Sequence, residues 1–248
     1  MSDLSYEERL ASYAKGKWAA PLAPRAPGER RFWLVKSEPE TFSWDDLLGA
    51  PQRTTHWDGV RNHAARNFLR DGMRLGDRVF FYHSSTDPQA IVGICEVTRE
   101  AYPDFTATDA THPAFDPDSD ASAPTWYMVD LRAVEPLARP VTLPEIKTRT
   151  ELGEMALLRI GRLSVTPVTP FEWETIVAMS RSEPAPASTR EPKPASKTGT
   201  GARKGSSPKT TAKTSAKSRT KPRAKSGAKT ATRAKKTAAT KTTRRKSA

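Results

Sequence analysis

The chain has 248 residues, which is enough for one or two domains, and carries a net charge of +13. The charge is divided sharply: residues 181–248 hold 21 basic and two acidic residues, so 1–180 hold 20 basic and 26 acidic residues, a charge of −6. A single cysteine excludes an internal disulfide framework and a multi-thiolate zinc site. We expect a soluble intracellular protein, because no apolar run approaches the roughly 18 residues of a membrane helix and no secretory signal begins the chain.

Residues 1–30 predict a flexible N-terminal arm. Residues 6–13 favour a turn or two of helix, but Pro21, Pro24 and Pro27 follow and indicate an extended lead-in. The folded domain is predicted to span 31–180. Its first element is the apolar run 32–35, which indicates a central strand.

Two short helices are predicted next. Ser43 with an acid three residues later indicates a capped helix start, and Gly49 stops it. The stretch 56–67 places a Trp, an acid, a glycine turn, two Arg and two Asn together, and apolar residues at helical spacing continue to Leu69. A tryptophan before such a turn suits a planar ligand, so we predict that this stretch forms one wall of a nucleobase pocket.

The second half of the domain is predicted to be richer in strands. Residues 78–97 indicate a β-hairpin with Cys95 as a small buried hydrophobe, and 102–124 indicate a surface loop. A strand follows at 126–131, and Thr142 and Thr169 begin two helices with capping boxes. These elements lack regular βαβ alternation, so we predict an α+β domain with a small, partly open β-barrel flanked by short helices.

The segment 181–248 has no aromatic, Ile, Leu, Val or Met residue. Such a composition cannot offset the entropy of ordering, so we predict a disordered tail that resembles linker-histone tails in composition. A flexible polycation neutralises phosphates and gives salt-sensitive, sequence-independent affinity. The alternative is a solubility or targeting tail. The predicted backbone contacts in this segment are Lys213, Lys217, Lys221, Lys225, Lys235 and Lys236.

Five motifs in order carry a family resemblance: FWLVKSEP at 32–39, WDGVRN at 57–62, FYHS at 81–84, IVGI at 91–94 and GRLSV at 161–165. AYPD at 101–104, WYMVD at 126–130 and PVTL at 140–143 match as well. Together they resemble an EVE domain, which the thymocyte nuclear protein family also carries. The resemblance implies a PUA-like barrel related to YTH domains and a reader of modified bases such as 5-methylcytosine.

Transferred to this chain, the resemblance implies a pocket that uses Lys36, Ser37 and Glu38, since the equivalent segment of YTH domains contacts the base edge. Glu38 is then a candidate acceptor for an exocyclic amine such as cytosine N4, in keeping with donor–acceptor geometry. Trp57 is the candidate stacking wall. The alternative is that Trp57 belongs to the core and Glu38 caps a turn. The other candidate base contacts are Asp58, Asn62, Tyr82, His83, Leu163 and Ser164.

Several of these candidates have structural alternatives. Asp58 and Asn62 suit ligand contact and stabilisation of the turn equally well, and a structural His83 is favoured over a catalytic one. Four arginines are candidate phosphate contacts, although arginines on helix surfaces are usually only solvated: Arg61, Arg66, Arg159 and Arg162.

Enzymatic signatures are missing from the sequence. It has no zinc deaminase motif, no H-E-x-x-H, no Walker A loop and no G-x-S-x-G. We therefore predict a non-enzymatic reader of a modified base in DNA, without metal or cofactor and without a membrane partner. Modified tRNA or rRNA as the ligand, a nucleoid-compacting protein with a scaffold domain, and a hydrolase of modified nucleosides remain alternatives. We expect a monomer in the cytoplasm at the nucleoid, or in the nucleus of a eukaryote.

Overall fold

The computed structural model describes residues 4–183, and their centre is a six-stranded mixed sheet. The strand order is β2-β5-β4-β3-β1-β6, in which β1 and β3 run parallel and every other neighbouring pair is antiparallel. The strands are β1 (Phe32–Ser37), β2 (Thr54–His56), β3 (Arg78–His83), β4 (Ala90–Pro103), β5 (Tyr127–Thr142) and β6 (Val165–Val168).

Short helices surround this sheet, and four-residue capping boxes begin several of them. The boxes predicted at Ser43, Thr142 and Thr169 are all present, each with reciprocal side-chain and backbone hydrogen bonds. The helices are α1 (Tyr6–Tyr13), α2 (Ala19–Leu22), α3 (Trp44–Gly49), α4 (His63–Asn67), α5 (Leu143–Thr148), α6 (Ala156–Arg159) and α7 (Pro170–Arg181). Within residues 4–183, no helix has the length and apolarity to span a bilayer.

The sheet separates two hydrophobic clusters, because successive side chains of a strand point to opposite faces. On β1, Trp33 and Val35 belong to one cluster and Leu34 belongs to the other. Cys95 lies in the first cluster, and burial raises the pKa of its thiol. The sheet is open because β2 and β6 are its two ends, and register shifts interrupt the long β4–β5 pair. The predicted α+β, PUA-like fold with flanking short helices is confirmed.

The N-terminal segment differs from the flexible arm expected from its sequence. Residues 4–30 form α1 and α2, and Leu22 is almost completely buried in the first cluster. Two buried carboxylates bind this segment: Asp71 accepts hydrogen bonds from Arg9 and Tyr13, and Asp77 accepts two from Arg25. A buried carboxylate is costly without partners, so these arginines dock the arm on the domain. Residues 184–248, which include the predicted basic tail and its six lysines, lie outside the described residues.

Candidate functional site

A cavity of about 710 Å³ opens where the end of β1, the segment after β2 and the loop after β4 approach one another. It brings together residues that are far apart in the chain, and a cavity of this size suits a small organic ligand. Its lining comprises Lys36, Ser37, Glu38, Thr41, Phe42, Thr55, His56, Trp57, Asp58, Gly59, Val60, Arg61, His112 and Ser164. Thr41, Phe42, Thr55 and His112 were not singled out from the sequence.

Trp57 is held in the cavity wall by both its backbone and its ring. It follows β2, and its backbone N–H donates to the carbonyl of Val129 on β5 at 2.7 Å. Its ring packs edge-to-face on Phe81, with centroids 5.6 Å apart. Only 8% of the residue is exposed, so Trp57 is a core residue that also presents part of its surface to the cavity. The two alternatives considered from the sequence are therefore compatible.

The segment 36–38 lies at the carboxyl end of β1 and is fixed by its neighbours. The Lys36 backbone N–H donates to the carbonyl of Ser164 at 2.9 Å, and the Ser37 hydroxyl donates to the carbonyl of Phe42 at 2.6 Å. Partial burial lowers the pKa of Lys36, whose ammonium donates to the carbonyl of Gly161. These contacts leave the segment little freedom to rearrange around a ligand.

Glu38 is the exposed carboxylate of this wall. Its Oε1 accepts a hydrogen bond from the Ser85 hydroxyl at 2.9 Å, while its backbone carbonyl accepts the amides of Thr41 and Phe42. Within residues 4–183, Oε2 has no hydrogen-bond partner. The side chain therefore combines one oriented carboxylate oxygen with one that is available to a donor.

Arg61 lies in the opposite wall, and its contacts with Asp104 and Ala114 hold the loop after β4 in place; we call these contacts the clamp. Its guanidinium donates to Asp104 at 2.7 Å and to the carbonyl of Ala114, and it lies 5.5 Å from the ring of Trp126. Burial raises the pKa of the Asp104 carboxyl, but the hydrogen bonds from Thr106 and Arg61 outweigh it and leave the pKa lowered. Arg61 therefore ties a loop to the cavity, which differs from the predicted phosphate contact. Its donors are already engaged inside the protein.

The loop held by this clamp places in the cavity wall a histidine that was not predicted from the sequence. Residues 102–124 were expected to be a surface loop, but Asp104 and Thr106 are buried and His112 lines the cavity. His112 Nε2 lies 3.7 Å from Asp58 Oδ2, and its Nδ1 accepts the amide of Ala114. Nothing in the local sequence of the loop signals this position, because the contact joins residues more than fifty apart.

The glycine between these walls is required by the backbone. Gly59 has φ +71°, a conformation that L side chains rarely adopt, and its N–H donates to Asp104 at 3.0 Å. The turn thus directs Trp57 and Asp58 toward the cavity before α4 begins.

Four predicted base contacts do not line the cavity. Asn62 caps α4 by accepting the amides of Ala64 and Ala65, which satisfies helix N–H groups that have no partner inside the helix. Tyr82 is buried in the second cluster, on the other face of the sheet, and Leu163 is buried in the first. His83 Nε2 accepts the backbone N–H of Trp44, and burial lowers the pKa of its imidazole. The structural reading of His83 agrees with this geometry.

The other predicted backbone arginines divide into two groups. Arg66 is half-buried, donates to the carbonyl of Thr125 at 3.0 Å and to Asn67, and is therefore engaged internally. Arg159 and Arg162 are exposed on the segment that leads to Ser164, and Arg159 lies 3.6 Å from Glu154. Of the four predicted arginines, only these two are exposed in residues 4–183, so they remain available to a polyanion. Residues 4–183 hold no group of three or more side chains suited to binding a metal ion.

Comparison with known proteins identifies the domain. Residues 31–179 match the EVE domain family, more than half of the chain. Thymocyte nuclear protein 1 of Mus musculus is 41% identical over 171 residues, which cover 62% of this chain and 75% of that protein. The human counterpart is 40% identical over 170 residues, with the same coverage.

Solved structures agree with this assignment. A hypothetical protein from Leishmania major shares 47% identity with a TM-score of 0.60, covering 63% of this chain and 98% of its own. Human THYN1 protein, solved in complex with DNA containing 5-methylcytosine, shares 38% identity with a TM-score of 0.60. The match covers 62% of this chain and 99% of that chain. The chain belongs to the EVE domain family.

Proposed function

We propose that this protein is a non-enzymatic, DNA-binding reader of a modified base of the 5-methylcytosine type. The observation that carries the proposal is the cavity lined by Trp57 and Glu38 from separate segments, in which one Glu38 carboxylate oxygen has no hydrogen-bond partner among residues 4–183. The complex of human THYN1 with DNA containing 5-methylcytosine supports the choice of ligand.

In this proposal the base enters the cavity with its face toward Trp57 and its edge toward the segment 36–38. Aromatic stacking on an extruded base is worth about 1–3 kcal/mol and is insensitive to the identity of the base. Selectivity then comes from the edge, where Glu38 accepts a hydrogen bond from an exocyclic amine. Phe42 and Val60, which line the same cavity, offer apolar contact to a methyl group.

Affinity for the polymer is assigned to other parts of the chain. The domain 1–180 carries a charge of −6, which disfavours general binding to a polyanion, whereas 181–248 carry 21 basic residues. We propose that the tail contacts phosphates and that tethering raises the base concentration at the cavity into the mM range. Arg159 and Arg162 are the proposed phosphate contacts of the domain. In a eukaryotic cell this activity belongs in the nucleus.

The test measures binding of the full-length chain to matched oligonucleotides with 5-methylcytosine, 5-hydroxymethylcytosine or cytosine, in DNA and in RNA. Glu38→Gln should reduce the preference for the modified DNA about tenfold, because a charge-assisted hydrogen bond is lost. Glu40→Gln is the matched control, since Glu40 is an exposed glutamate two residues away that does not line the cavity. Trp57→Phe should weaken binding to all bases alike.

The salt dependence of binding distinguishes the proposed role of the tail from that of the domain. Deletion of 184–248 should remove most of the salt-dependent affinity and leave the base preference unchanged. Equal affinity of the intact protein for all the DNA oligonucleotides would overturn the reader function. A stronger preference for modified RNA would instead support the alternative that the protein reads modified tRNA or rRNA.

A further inference from the structure

An exposed aromatic ring lies beside the cavity, outside the set of residues that the proposed function uses. Phe105 is 57% exposed, although it follows directly after the buried Asp104. Its ring centroid lies 5.3 Å from that of His56, with an interplanar angle of 59°. His56 is itself exposed and lines the cavity, so the two rings continue the cavity wall onto the surface.

The backbone that carries Phe105 is fixed by the clamp described above. Asp104 Oδ1 accepts the amide and the hydroxyl of Thr106, at 2.9 and 2.6 Å, which begins the helical turn Phe105–Thr108. Asp104 Oδ2 binds Arg61 and the amide of Gly59, and the Asp104 N–H donates to the carbonyl of Trp126. The exposed ring is therefore presented by an anchored backbone.

We propose that Phe105 and His56 form a flanking surface that stacks on the nucleotide next to the base held in the cavity. The inference rests on the proposed function and extends it to a second contact. A base that leaves its stack exposes the apolar faces of its neighbours, and aromatic or apolar side chains are the groups that cover such faces. The surface is continuous with the cavity through His56, which places it beside any polymer whose base enters there.

Two features favour a nucleotide over a protein partner as the occupant. The surface consists of one phenyl ring on an anchored backbone and one imidazole, which fits the face of a single base better than a protein interface of the usual size. Asp104 caps the turn that carries Phe105 and also binds Arg61 in the cavity wall. The cavity and the Phe105 ring are therefore held in place by the same carboxylate, so a ligand can contact both.

The experiment compares Phe105→Ala with Phe171→Ala in the full-length chain. Phe171 has the same exposed fraction, 57%, but lies in α7 and does not line the cavity. Both variants should keep the thermal stability of the parent protein. Phe105→Ala should weaken binding to an oligonucleotide with 5-methylcytosine by about fivefold to a hundredfold, the range for loss of one stacked base. Phe171→Ala should leave it unchanged.

Two further readouts identify the contact. Binding of the free nucleoside, 5-methyldeoxycytidine, should be the same in the parent and in Phe105→Ala, because the nucleoside has no neighbour to stack. The fluorescence of 2-aminopurine placed beside the 5-methylcytosine should change on binding to the parent protein and change less with Phe105→Ala.

The outcomes separate this inference from the proposed function. If the parent protein prefers 5-methylcytosine but Phe105→Ala binds as Phe171→Ala does, the flanking surface is overturned and the reader function stands. If Phe105→Ala weakens nucleoside and oligonucleotide binding equally, Phe105 belongs to the base cavity and the flanking role is also overturned. If the parent protein shows no base preference and Glu38→Gln has no effect, the reader function fails, and with it the inference that depends on it.

Discussion

Removal of one arginine of the N-terminal segment tests whether this segment is part of the fold. The Arg25 guanidinium donates to both oxygens of Asp77, each at 2.6 Å, and the two side chains are 14% and 1% exposed. Arg25→Ala leaves the buried carboxylate without its counter-charge, a change that costs about 3–5 kcal/mol in buried pairs. Asp77 keeps three other donors, namely the backbone amides of Arg31 and Arg74 and the indole N–H of Trp33. We therefore expect the lower end of the range, about 3 kcal/mol.

The free energy of unfolding is measured by urea denaturation of the full-length chain, followed by tryptophan fluorescence. A loss of about 3 kcal/mol corresponds to a fall in Tm of about 6–12 °C for a domain of this size. Arg30→Ala is the matched control, because Arg30 is an exposed arginine of the same segment, and its effect should stay within about 0.5 kcal/mol.

A double variant shows whether the cost arises from the pair. In Arg25→Ala with Asp77→Asn, the buried charge is removed together with its partner, so the double variant should lose less stability than the sum of the single variants. If Arg25→Ala destabilises no more than Arg30→Ala, the docking of residues 4–30 through Asp77 is refuted.

Two further predictions concern stability. Desolvation raises the pKa of Asp71, but hydrogen bonds from Arg70, Tyr13 and Arg9 outweigh it and leave the pKa below its ordinary value of 3.8. The ionised Asp71 therefore stabilises the folded protein fully above about pH 4, and this contribution is lost as pH falls through the folded-state pKa. Asp71→Asn should lower the urea midpoint at neutral pH and flatten its decline below pH 4, and an unchanged decline would contradict this. Gly93→Ala should cost about 1–3 kcal/mol in the same assay, since a Cβ there lies 2.4 Å from the Trp44 ring. Gly49→Ala, where a Cβ meets nothing within 4 Å, is the control, and equal effects would refute the clash.

The candidate site was partly predictable from the sequence. Trp57, Asp58 and the segment 36–38 line one cavity. The segment 36–38 lies at the end of the strand that the apolar run at 32–35 indicates, whereas the short strand β2 before Trp57 has no apolar pattern and was not predicted. Tyr82 and His83 also end a strand, but side chains alternate across the sheet, and Tyr82 lies in the second cluster, on the face away from the cavity. His83 is engaged by the backbone N–H of Trp44, a contact that the motif FYHS does not reveal. The base contacts predicted from the motifs therefore included two core residues, Tyr82 and Leu163.

The sequence by itself determined the local and compositional features of this protein. The apolar run at 32–35, the capping boxes at Thr142 and Thr169 and the charge division near 180 depend on neighbouring residues, so a short window of sequence contains their cause. The ordered motifs likewise sufficed to assign the family.

Only the tertiary structure decided which charged groups are structural and which line the cavity. Arg61 meets the Ala114 carbonyl 53 residues away, and Arg25 meets Asp77 across 52 residues. The strength of such contacts depends on burial and on the exact alignment of donors, and neither is encoded in the spacing of residues along the chain. The same distance in sequence concealed His112 and its loop, which the clamp through Asp104 brings against the turn at Gly59.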